Sequence, residues 1–171
     1  MAKNSDLSPK NRENKEEKNF YLTRQGLKKI KKEYEELKQI KLSKTKGEAP
    51  AILISEDVNP EYLVLQEDLG LLDIKLAEIE TILKNARIIK NPPKDAPLTV
   101  DLGATVMVDH NGKNSEFTIV GTLEANPDQG KISNESPVGR ILLGKKIGDI
   151  VKIASPERSV YRIKKIAYNL S

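Results

Sequence analysis

The chain has 171 residues, of which 37% are hydrophobic, 32% charged and 4% aromatic, with no tryptophan. This composition excludes one thick globular core and fits a helical hairpin, which buries only a stripe, attached to a smaller compact domain. The net charge of +4 is too small to indicate nucleic-acid binding by itself. Since the chain has no cysteine, disulfides, thiolate catalysis and cysteine metal sites are excluded as well.

Residues 1–19 differ from the rest in composition. They hold one Leu, one Met and one Ala among charged and polar side chains, too little apolar surface to offset the ordering entropy, so a disordered tail is predicted. This segment lacks the apolar core of a signal peptide, and no apolar run reaches the roughly 18 residues of a membrane span. We expect a cytoplasmic protein with no membrane partner.

A long helix is predicted after Thr23, which suits the N-cap position and follows apolar residues 20–22 that can pack onto the first turns. Apolar side chains then recur at alternating steps of three and four, the spacing of a coiled-coil seam: Leu27, Ile30, Tyr34 and Leu37. The pattern decays after Ile40. Pro50 predicts a bend or break between Gly47 and Pro50.

A second helix is predicted from Asn59, an N-cap residue followed by Pro60 at the first helical position and by Glu61 in the first turn. Its seam has the same alternating steps: Tyr62, Leu65, Leu69, Leu72, Leu76, Ile79 and Leu83. Two antiparallel helices of about 24 residues would span about 35 Å. Four apolar residues lie off this seam and indicate an additional packed face or an oligomeric contact: Leu63, Val64, Leu71 and Ile74.

The connection between the helices, near residues 50–60, is the predicted tip of the hairpin. Its apolar run, residues 51–54, either covers the distal end of the hairpin or forms a contact surface for a partner. The acidic stretch SEDVNPEY at residues 55–62 is either a solvated turn or a device that places carboxylates in a narrow, metal-containing or basic cavity. The residues alone leave both pairs of alternatives open.

After the helical part, residues 91–98 contain three prolines and are predicted to be a linker. Four strands are predicted beyond it, at residues 104–110, 115–121, 147–153 and 160–167. Asn111-Gly112 is a hairpin turn between the first two, and a short helix is predicted to start at Ser136-Pro137 and stop at Gly144. The expected fold class is therefore α+β, a helical hairpin joined to a small antiparallel sheet with one short helix.

Residues 130–149 read GKISNESPVGRILLGKKIGD and follow TIVG at 118–121 and EANPD at 124–128. This long, nearly uninterrupted stretch closely resembles the C-terminal signature of the GreA/GreB transcript-cleavage factors. The sequence YLTRQGL at residues 21–27 is similar to the start of the coiled coil in the same family. The resemblance covers the chain from about residue 20 to its C-terminus.

The resemblance implies a transcription elongation factor with a coiled-coil hairpin at residues 20–90 and an FKBP-like docking domain at residues 99–171. In that family the docking domain binds bacterial RNA polymerase, and the hairpin enters the secondary channel. Two tip carboxylates there help to hold a second Mg²⁺ and the attacking water, and the backtracked nascent RNA is cut near its 3′ end. No free-standing active site, cofactor of its own or small-molecule substrate is expected, and DNA binding would come with the transcription complex.

Seven residues of the signature are expected to dock on the polymerase: Ser133, Asn134, Glu135, Ser136, Pro137, Gly139 and Arg140. The tip, in contrast, departs from the family motif, which is close to D-L-S-E-N-A-E-Y. Asn59, Glu61 and Tyr62 match, but Ser55 and Val58 stand where the two carboxylates should be. Glu56 and Asp57 are the candidate replacements, with Mg²⁺ shared only inside the polymerase.

The tip also lacks the basic patch expected of the family. Ala51 and Gln66 stand about where arginines are expected, beside apolar Leu53, Leu63 and Val64. Three functions therefore remain open: a factor that modulates elongation and stimulates cleavage, a homologue that occupies the channel without cleaving and regulates or inhibits transcription, and a peptidyl-prolyl isomerase or chaperone-like peptide binder. The last would need an aromatic pocket, for which the C-terminal part offers only Phe117, Tyr161 and Tyr168.

Overall fold

A computed structural model of the chain describes residues 19–47, 49–54, 57–93, 95–110, 112–154 and 158–169. The fold is α+β, as expected, with a pair of long helices followed by a five-stranded sheet and one short helix. Within the described ranges, no helix is long and apolar enough to cross a membrane. The predicted disordered tail lies outside the described residues, except for Asn19.

The two long helices form an antiparallel hairpin. Helix α1 spans Arg24–Lys46 and helix α2 spans Pro60–Lys84, with Thr23 and Asn59 as their N-caps. Among the described residues, polar pairs join the two helices, and the residue number on α2 falls as the number on α1 rises: Tyr34 with Glu80, Lys41 with Asp73, and Lys44 with Asp68. Helix α1 ends before Gly47, where the sequence predicts a break.

The seam predicted from the spacing of apolar residues is the face on which the helices meet. Every predicted seam residue is buried or half-buried, from Leu27 to Leu37 on α1 and from Tyr62 to Leu83 on α2. Leu76 and Ile79 are the most enclosed, at 9% and 8% exposure. The off-seam residues Leu63, Val64, Leu71 and Ile74 are all exposed, so no part of the described chain covers this face.

Short strands border both ends of the hairpin: β1 (Phe20–Leu22), β2 (Leu53–Ile54), β3 (Asp57–Val58) and β4 (Ala86–Ile88). At the base, β1 pairs in parallel with β4, and the backbone N of Ile89 donates to the carbonyl of Leu22 at 2.8 Å. Residues 20–22 were predicted only to pack onto the first helical turn, but they form a strand because the C-terminal end of α2 returns beside them. Leu22 is fully buried at this junction.

The sheet has strands β5 (Ala104–His110), β6 (Lys113–Val120), β7 (Lys131–Ser133), β8 (Ile150–Ala154) and β9 (Arg158–Tyr168), in the order β7-β6-β5-β9-β8. The four strands predicted from the sequence are present, and β5 has the predicted bounds. Strand β7 was not predicted, and it pairs in parallel with β6, so the sheet is mixed and not wholly antiparallel. Two 3₁₀ turns, Thr122–Glu124 and Pro127–Gln129, return the chain to the start of this parallel pairing.

Strand β8 starts three residues later than predicted because residues 146–149 form a turn. Gly148 has a φ of 94°, and the backbone N of Lys146 donates to the Asp149 side chain at 2.9 Å. The positive φ favours glycine and interrupts an extended strand. Ile147 therefore lies in an exposed loop and not in the sheet.

Helix α3 (Pro137–Leu142) packs on the sheet and is capped by Ser136, as predicted. The core beneath it contains Leu142, which is fully buried, and Val100, which precedes the first strand of the sheet. The remaining core residues lie on the strands: Ala104, Val106, Val108, Ile119, Val151, Ile163 and Ile166. Gly144, with a φ of 75°, follows the helix end. Phe117, Tyr161 and Tyr168 pack against this core from its margin.

Candidate functional site

The tip of the hairpin is a short antiparallel ladder. Leu53 pairs with Val58, and Ile54 pairs with Asp57. Since directly opposed residues share a face of a ladder and successive residues alternate, Leu53 and Val58 face one side and Ile54 and Asp57 the other. The predicted residues Ser55 and Glu56 lie outside the described part of the chain.

Asn59 fixes this ladder to helix α2. Its Oδ1 accepts from the backbone N of Glu61 at 3.0 Å, its Nδ2 donates to the carbonyl of Ala51 at 2.8 Å, and its own N donates to the carbonyl of Ile52 at 2.9 Å. Asn59 is only 4% exposed, the one buried polar residue in the part of the chain that the structure describes. One side chain thus caps helix α2 and also holds the segment that leads into β2, so hydrogen bonds fix the two arms of the tip to each other.

The described carboxylates near the apex are those of Asp57 and Glu61, and both residues are exposed. Val58, where the family motif has a carboxylate, is 50% exposed. Tyr62, the third motif match, is half-buried on the seam. Among the described residues, no three acidic, histidine or cysteine side chains are grouped so that they could hold a metal ion. Of the two candidate tip acids, Asp57 is the one that lies among the described residues. It would need ligands from elsewhere to hold Mg²⁺.

Apolar side chains dominate the surface around these acids. Ile52, Leu53 and Ile54 are 54–59% exposed, so the apolar run does not cover the distal end of the hairpin. Leu63 and Val64, in the first turns of α2, are 54% and 59% exposed. Ala51 and Gln66, which occupy the expected arginine positions, are exposed as well. The exposed surface of the tip is therefore mainly apolar, and a few acidic side chains lie among the apolar ones.

The signature loop, as residues 133–140 are called below, comprises the end of β7, the turn after it and the first residues of α3. Some of its residues hold its shape and others face outward. Ser136 Oγ donates to the carbonyl of Ser133 at 2.7 Å and accepts from the N of Gly139 at 3.0 Å. A Cβ on Gly139 would lie 2.0 Å from that same carbonyl, so only glycine fits there. The N of Asn134 donates to the carbonyl of Val120 at 2.9 Å, which ties the loop to β6.

The outward residues of the loop are Glu135, Pro137 and Arg140, all of which are exposed. Of the seven signature residues predicted to dock, these three are the ones that a partner could reach most readily. Ser133, Ser136 and Gly139 instead set the shape of the loop. The signature therefore combines a framework with a smaller contact surface.

Glu124 is a functional residue to which the sequence assigned no role. Its carboxylate accepts from the N of Thr23 at 2.5 Å and from Thr23 Oγ1 at 2.6 Å, which joins the sheet to the start of helix α1. Thr23 Oγ1 in turn accepts from the N of Gly26 at 3.0 Å. The available signal was Gly26, because a glycine in the first turn of a long helix is unfavourable unless something approaches closely.

Two tyrosines have perturbed pKa values. The hydrogen bond to Glu80 raises the pKa of Tyr34 above its usual value, and burial raises the pKa of Tyr168. The Tyr168 hydroxyl donates to the carbonyl of Thr99 at 2.6 Å and accepts from the N of Asp101 at 3.0 Å. The Tyr34 hydroxyl therefore links the two helices of the hairpin, and the Tyr168 hydroxyl links the end of β9 to the segment before β5.

The exposed tip and the loop at residues 133–140 lie on two parts of the fold, joined by the hairpin base at Thr23 and Glu124. An open groove of about 560 Å³ runs along the hairpin beside Tyr34, Leu42 and Leu76. These features define a class of protein, one in which a long helical hairpin is joined to a small sheet.

The relatives of the chain give the family. A model of the family described as "Transcription elongation factor, GreA/GreB, C-term" matches residues 95–168. Transcription elongation factor GreA of Lactococcus lactis subsp. cremoris (strain SK11) is 38% identical over 151 residues, covering 82% of this chain and 92% of the relative. GreA of Thermoanaerobacter pseudethanolicus is 39% identical over 140 residues, covering 79% and 88%. The chain belongs to the GreA/GreB family of transcription elongation factors.

Solved structures of similar proteins include GreA factor homolog 1 of Thermus thermophilus, with 23% identity, a TM-score of 0.39, and coverage of 88% of this chain and 99% of that one. A GreA/GreB factor from Nitrosomonas europaea has 26% identity and a TM-score of 0.40, and covers 62% and 93%. Scores below 0.5 establish no common overall arrangement, so the family rests on the sequence relationship.

Proposed function

We propose that this chain binds bacterial RNA polymerase, places its hairpin in the secondary channel and modulates elongation in the cytoplasm. Membership of the GreA/GreB family supports RNA polymerase as the partner. The hydrogen-bonded tip supports insertion into the secondary channel as the mode of action. Asn59 hydrogen-bonds to both Ala51 and Glu61 at the end of the hairpin, which supports presentation of the tip at the end of a long, narrow probe. The chain acts on the active centre of the polymerase and has none of its own.

The proposal divides the chain by task. The docking domain, residues 99–171, has the FKBP-like fold and contacts the rim of the channel through Glu135, Pro137 and Arg140, whose exposure supports this role. Residues 91–98 are the linker, and residues 20–90 are the probe. The pair Thr23 and Glu124 fixes the direction of the probe relative to the docked sheet.

Stimulation of cleavage depends on tip carboxylates. Mg²⁺, when it is bound, would supply an activated water and charge stabilisation for cleavage of the nascent RNA near its 3′ end. In this chain, Glu56 and Asp57 are the pair that could contribute ligands to it. Asp57 is exposed and shares its face of the ladder with Ile54, so its carboxylate is accessible to a metal ion in the active centre of the polymerase.

A second candidate function is occupancy of the channel without cleavage, which would inhibit or regulate transcription. The observation that favours it is Val58, which stands at a carboxylate position and is paired with Leu53 on an exposed apolar face. Neither side chain can bind a metal ion. Such a tip would block the passage of nucleotides and compete with other proteins of the channel.

Stalled, backtracked elongation complexes separate the two functions. Shortening of the labelled RNA by the wild type, and loss of that shortening in Glu56→Ala/Asp57→Ala, would establish cleavage through this pair. The control Glu33→Ala/Glu78→Ala removes two exposed acids nearer the base of the hairpin and should shorten RNA like the wild type. Slower nucleotide addition with no shortening at any Mg²⁺ concentration would establish the non-cleaving function. If the factor neither binds nor changes either reaction, the proposed function is wrong.

A further inference from the structure

The exposed apolar surface at the tip has no partner within the described chain, and it suggests what the hairpin contacts. Resting on the proposed function, we infer that the tip is held by an apolar protein surface of the polymerase that carries basic groups at its margin. Nucleic acid and metal are not its main contacts. Four observations lead to this inference.

The first observation is the concentration of exposed apolar side chains. Six lie within residues 52–64 and are 50–59% exposed: Ile52, Leu53, Ile54, Val58, Leu63 and Val64. Single exposed apolar residues are normal on protein surfaces, whereas contiguous groups mark contact sites. The acids Asp57, Glu61 and Glu67 lie among and beside these side chains. An apolar centre with a charged margin is the usual composition of a protein interface.

The second observation is that this surface is preformed. Asn59 joins helix α2 to Ala51 and Ile52, the two residues that precede β2, and the pairing of Leu53 with Val58 sets these two side chains on one face. Binding to a preformed surface does not have to order the backbone first. A loosely held apolar loop would lose part of its contact energy to that ordering.

The third observation is that the apolar surface continues along the outside of α2. At about 100° per residue, Leu63, Val64, Leu71 and Ile74 fall within an arc of about 100°, opposite the seam. Leu71 and Ile74 are 55% and 61% exposed. Helix α2 therefore has two apolar faces, one against α1 and one open to a partner.

The fourth observation is the distribution of charge. Residues 40–74 contain seven acidic and three basic side chains, a net charge of −4. Lys41 and Lys44 are already paired with Asp73 and Asp68. The proximal parts of the hairpin, residues 20–39 and 75–90, contain ten basic and five acidic side chains. The distal half would repel the phosphates of RNA and suits a partner with basic groups.

The affinity of purified elongation complexes for the factor tests this inference. Leu53→Ser/Val58→Ser and Leu63→Ser/Val64→Ser should each weaken binding at least tenfold, with the melting temperature unchanged within about 2 °C because the four side chains are exposed. Ile88→Ser/Leu98→Ser is the control, since these residues are 42% and 52% exposed but lie at the hairpin base and in the linker, away from both the tip and the docking domain. It should bind like the wild type.

The outcomes distinguish this inference from the proposed function. If the wild type does not bind the complex, the proposed function fails. If the wild type binds and the two tip variants bind equally well, the inference fails and the proposed function stands. Removal of Mg²⁺ should leave the affinity of the wild type unchanged, and a loss that matches the tip variants would assign the tip to metal.

A photo-crosslinking amino acid at position 63 identifies the occupant. Adducts with the protein subunits of the polymerase are expected, and they should disappear when unlabelled wild type is added in excess. Adducts mainly with RNA would overturn the inference. Adducts with a second copy of the factor, together with a dimer in sedimentation at the same concentration, would show that the surface is covered by self-association and would overturn it as well.

Discussion

The carboxylate of Glu124 accepts two hydrogen bonds from Thr23, 101 residues earlier in the chain, one from the backbone N at 2.5 Å and one from the side-chain Oγ1 at 2.6 Å. Thr23 is also the N-cap of α1, and its Oγ1 accepts from Gly26. One carboxylate thereby completes a helix terminus and joins the hairpin to the sheet. A negative charge at a helix N-terminus is favourable for the helix dipole as well.

Replacing Glu124 by Ala should lower the free energy of unfolding by about 2 kcal/mol, because two hydrogen bonds to a charged group are lost. For a chain of this length, that corresponds to a melting temperature lower by roughly 4–8 °C. Thermal unfolding followed by circular dichroism measures it. Glu135→Ala, at an exposed residue, should change the melting temperature by less than about 2 °C. Equal effects of the two changes would contradict the role of Glu124.

Gly26→Ala and Gly70→Ala, two identical changes in helices, should have opposite effects. A Cβ on Gly26 would lie 2.2 Å from Glu124 Oε1, whereas nothing lies within 4 Å of a Cβ on Gly70. Gly70→Ala should stabilise the protein by about 0.5–1 kcal/mol, the usual gain in an exposed helix. Gly26→Ala displaces the hydrogen-bonded carboxylate of Glu124 and should destabilise the protein by about 1–2 kcal/mol. Urea unfolding gives both signs, and stabilisation by both changes would exclude the close contact at Gly26.

The clamp at Asn59 can be separated from its role as a helix cap. Asn59→Asp keeps a capping oxygen but loses the Nδ2 donor to Ala51, whereas Asn59→Ala loses both. Amide hydrogen exchange at the tip should therefore rise in both variants, with local opening favoured by about 1–3 kcal/mol for a buried group that loses its partner. Exchange in the body of α2 should change little in Asn59→Asp. Unchanged exchange at the tip in Asn59→Asp would show that the cap alone holds it.

Tyr168 should contribute stability that depends on pH. Burial raises its pKa in the folded protein, so its contribution is complete below the unfolded value near 10 and is lost as pH rises through the higher folded value. Tyr168→Phe should cost about 1 kcal/mol at pH 7, and the difference from the wild type should shrink above pH 10. Urea unfolding at both pH values measures this. A difference that grows above pH 10 would contradict the assignment.

The helices and their seam could be predicted because a local period of apolar residues determines both. Strand β5 was also predicted with its observed bounds, Ala104–His110, since it alternates and ends at a turn sequence. The short strands β1, β4 and β7 were not predicted. Each has three residues, and its partner lies far along the chain or beyond two turns, so no local pattern marks it.

The candidate site, like the fold, could be predicted from the sequence only where the signal is local. Asn59 was predicted as a helix cap from its neighbours, but its bond to the Ala51 carbonyl was not, because a backbone acceptor has no sequence signature. Glu124 was missed because its partner is 101 residues away. The apolar character of the tip was visible in the sequence, but whether the side chains were covered or exposed depended on how the hairpin closes.

The position of the hairpin tip in the complex with RNA polymerase decides whether the chain acts from the secondary channel. The chain has no cysteine, so Gly47→Cys, at an exposed residue with open space around it, can carry a single iron chelate that cuts nearby backbone. Cuts should fall in the large polymerase subunits beside the catalytic centre, while the same chelate on Lys113→Cys, in the sheet, should give none there. Cuts from Gly47→Cys only on the outer surface of the polymerase, or none at all, would contradict the proposed function.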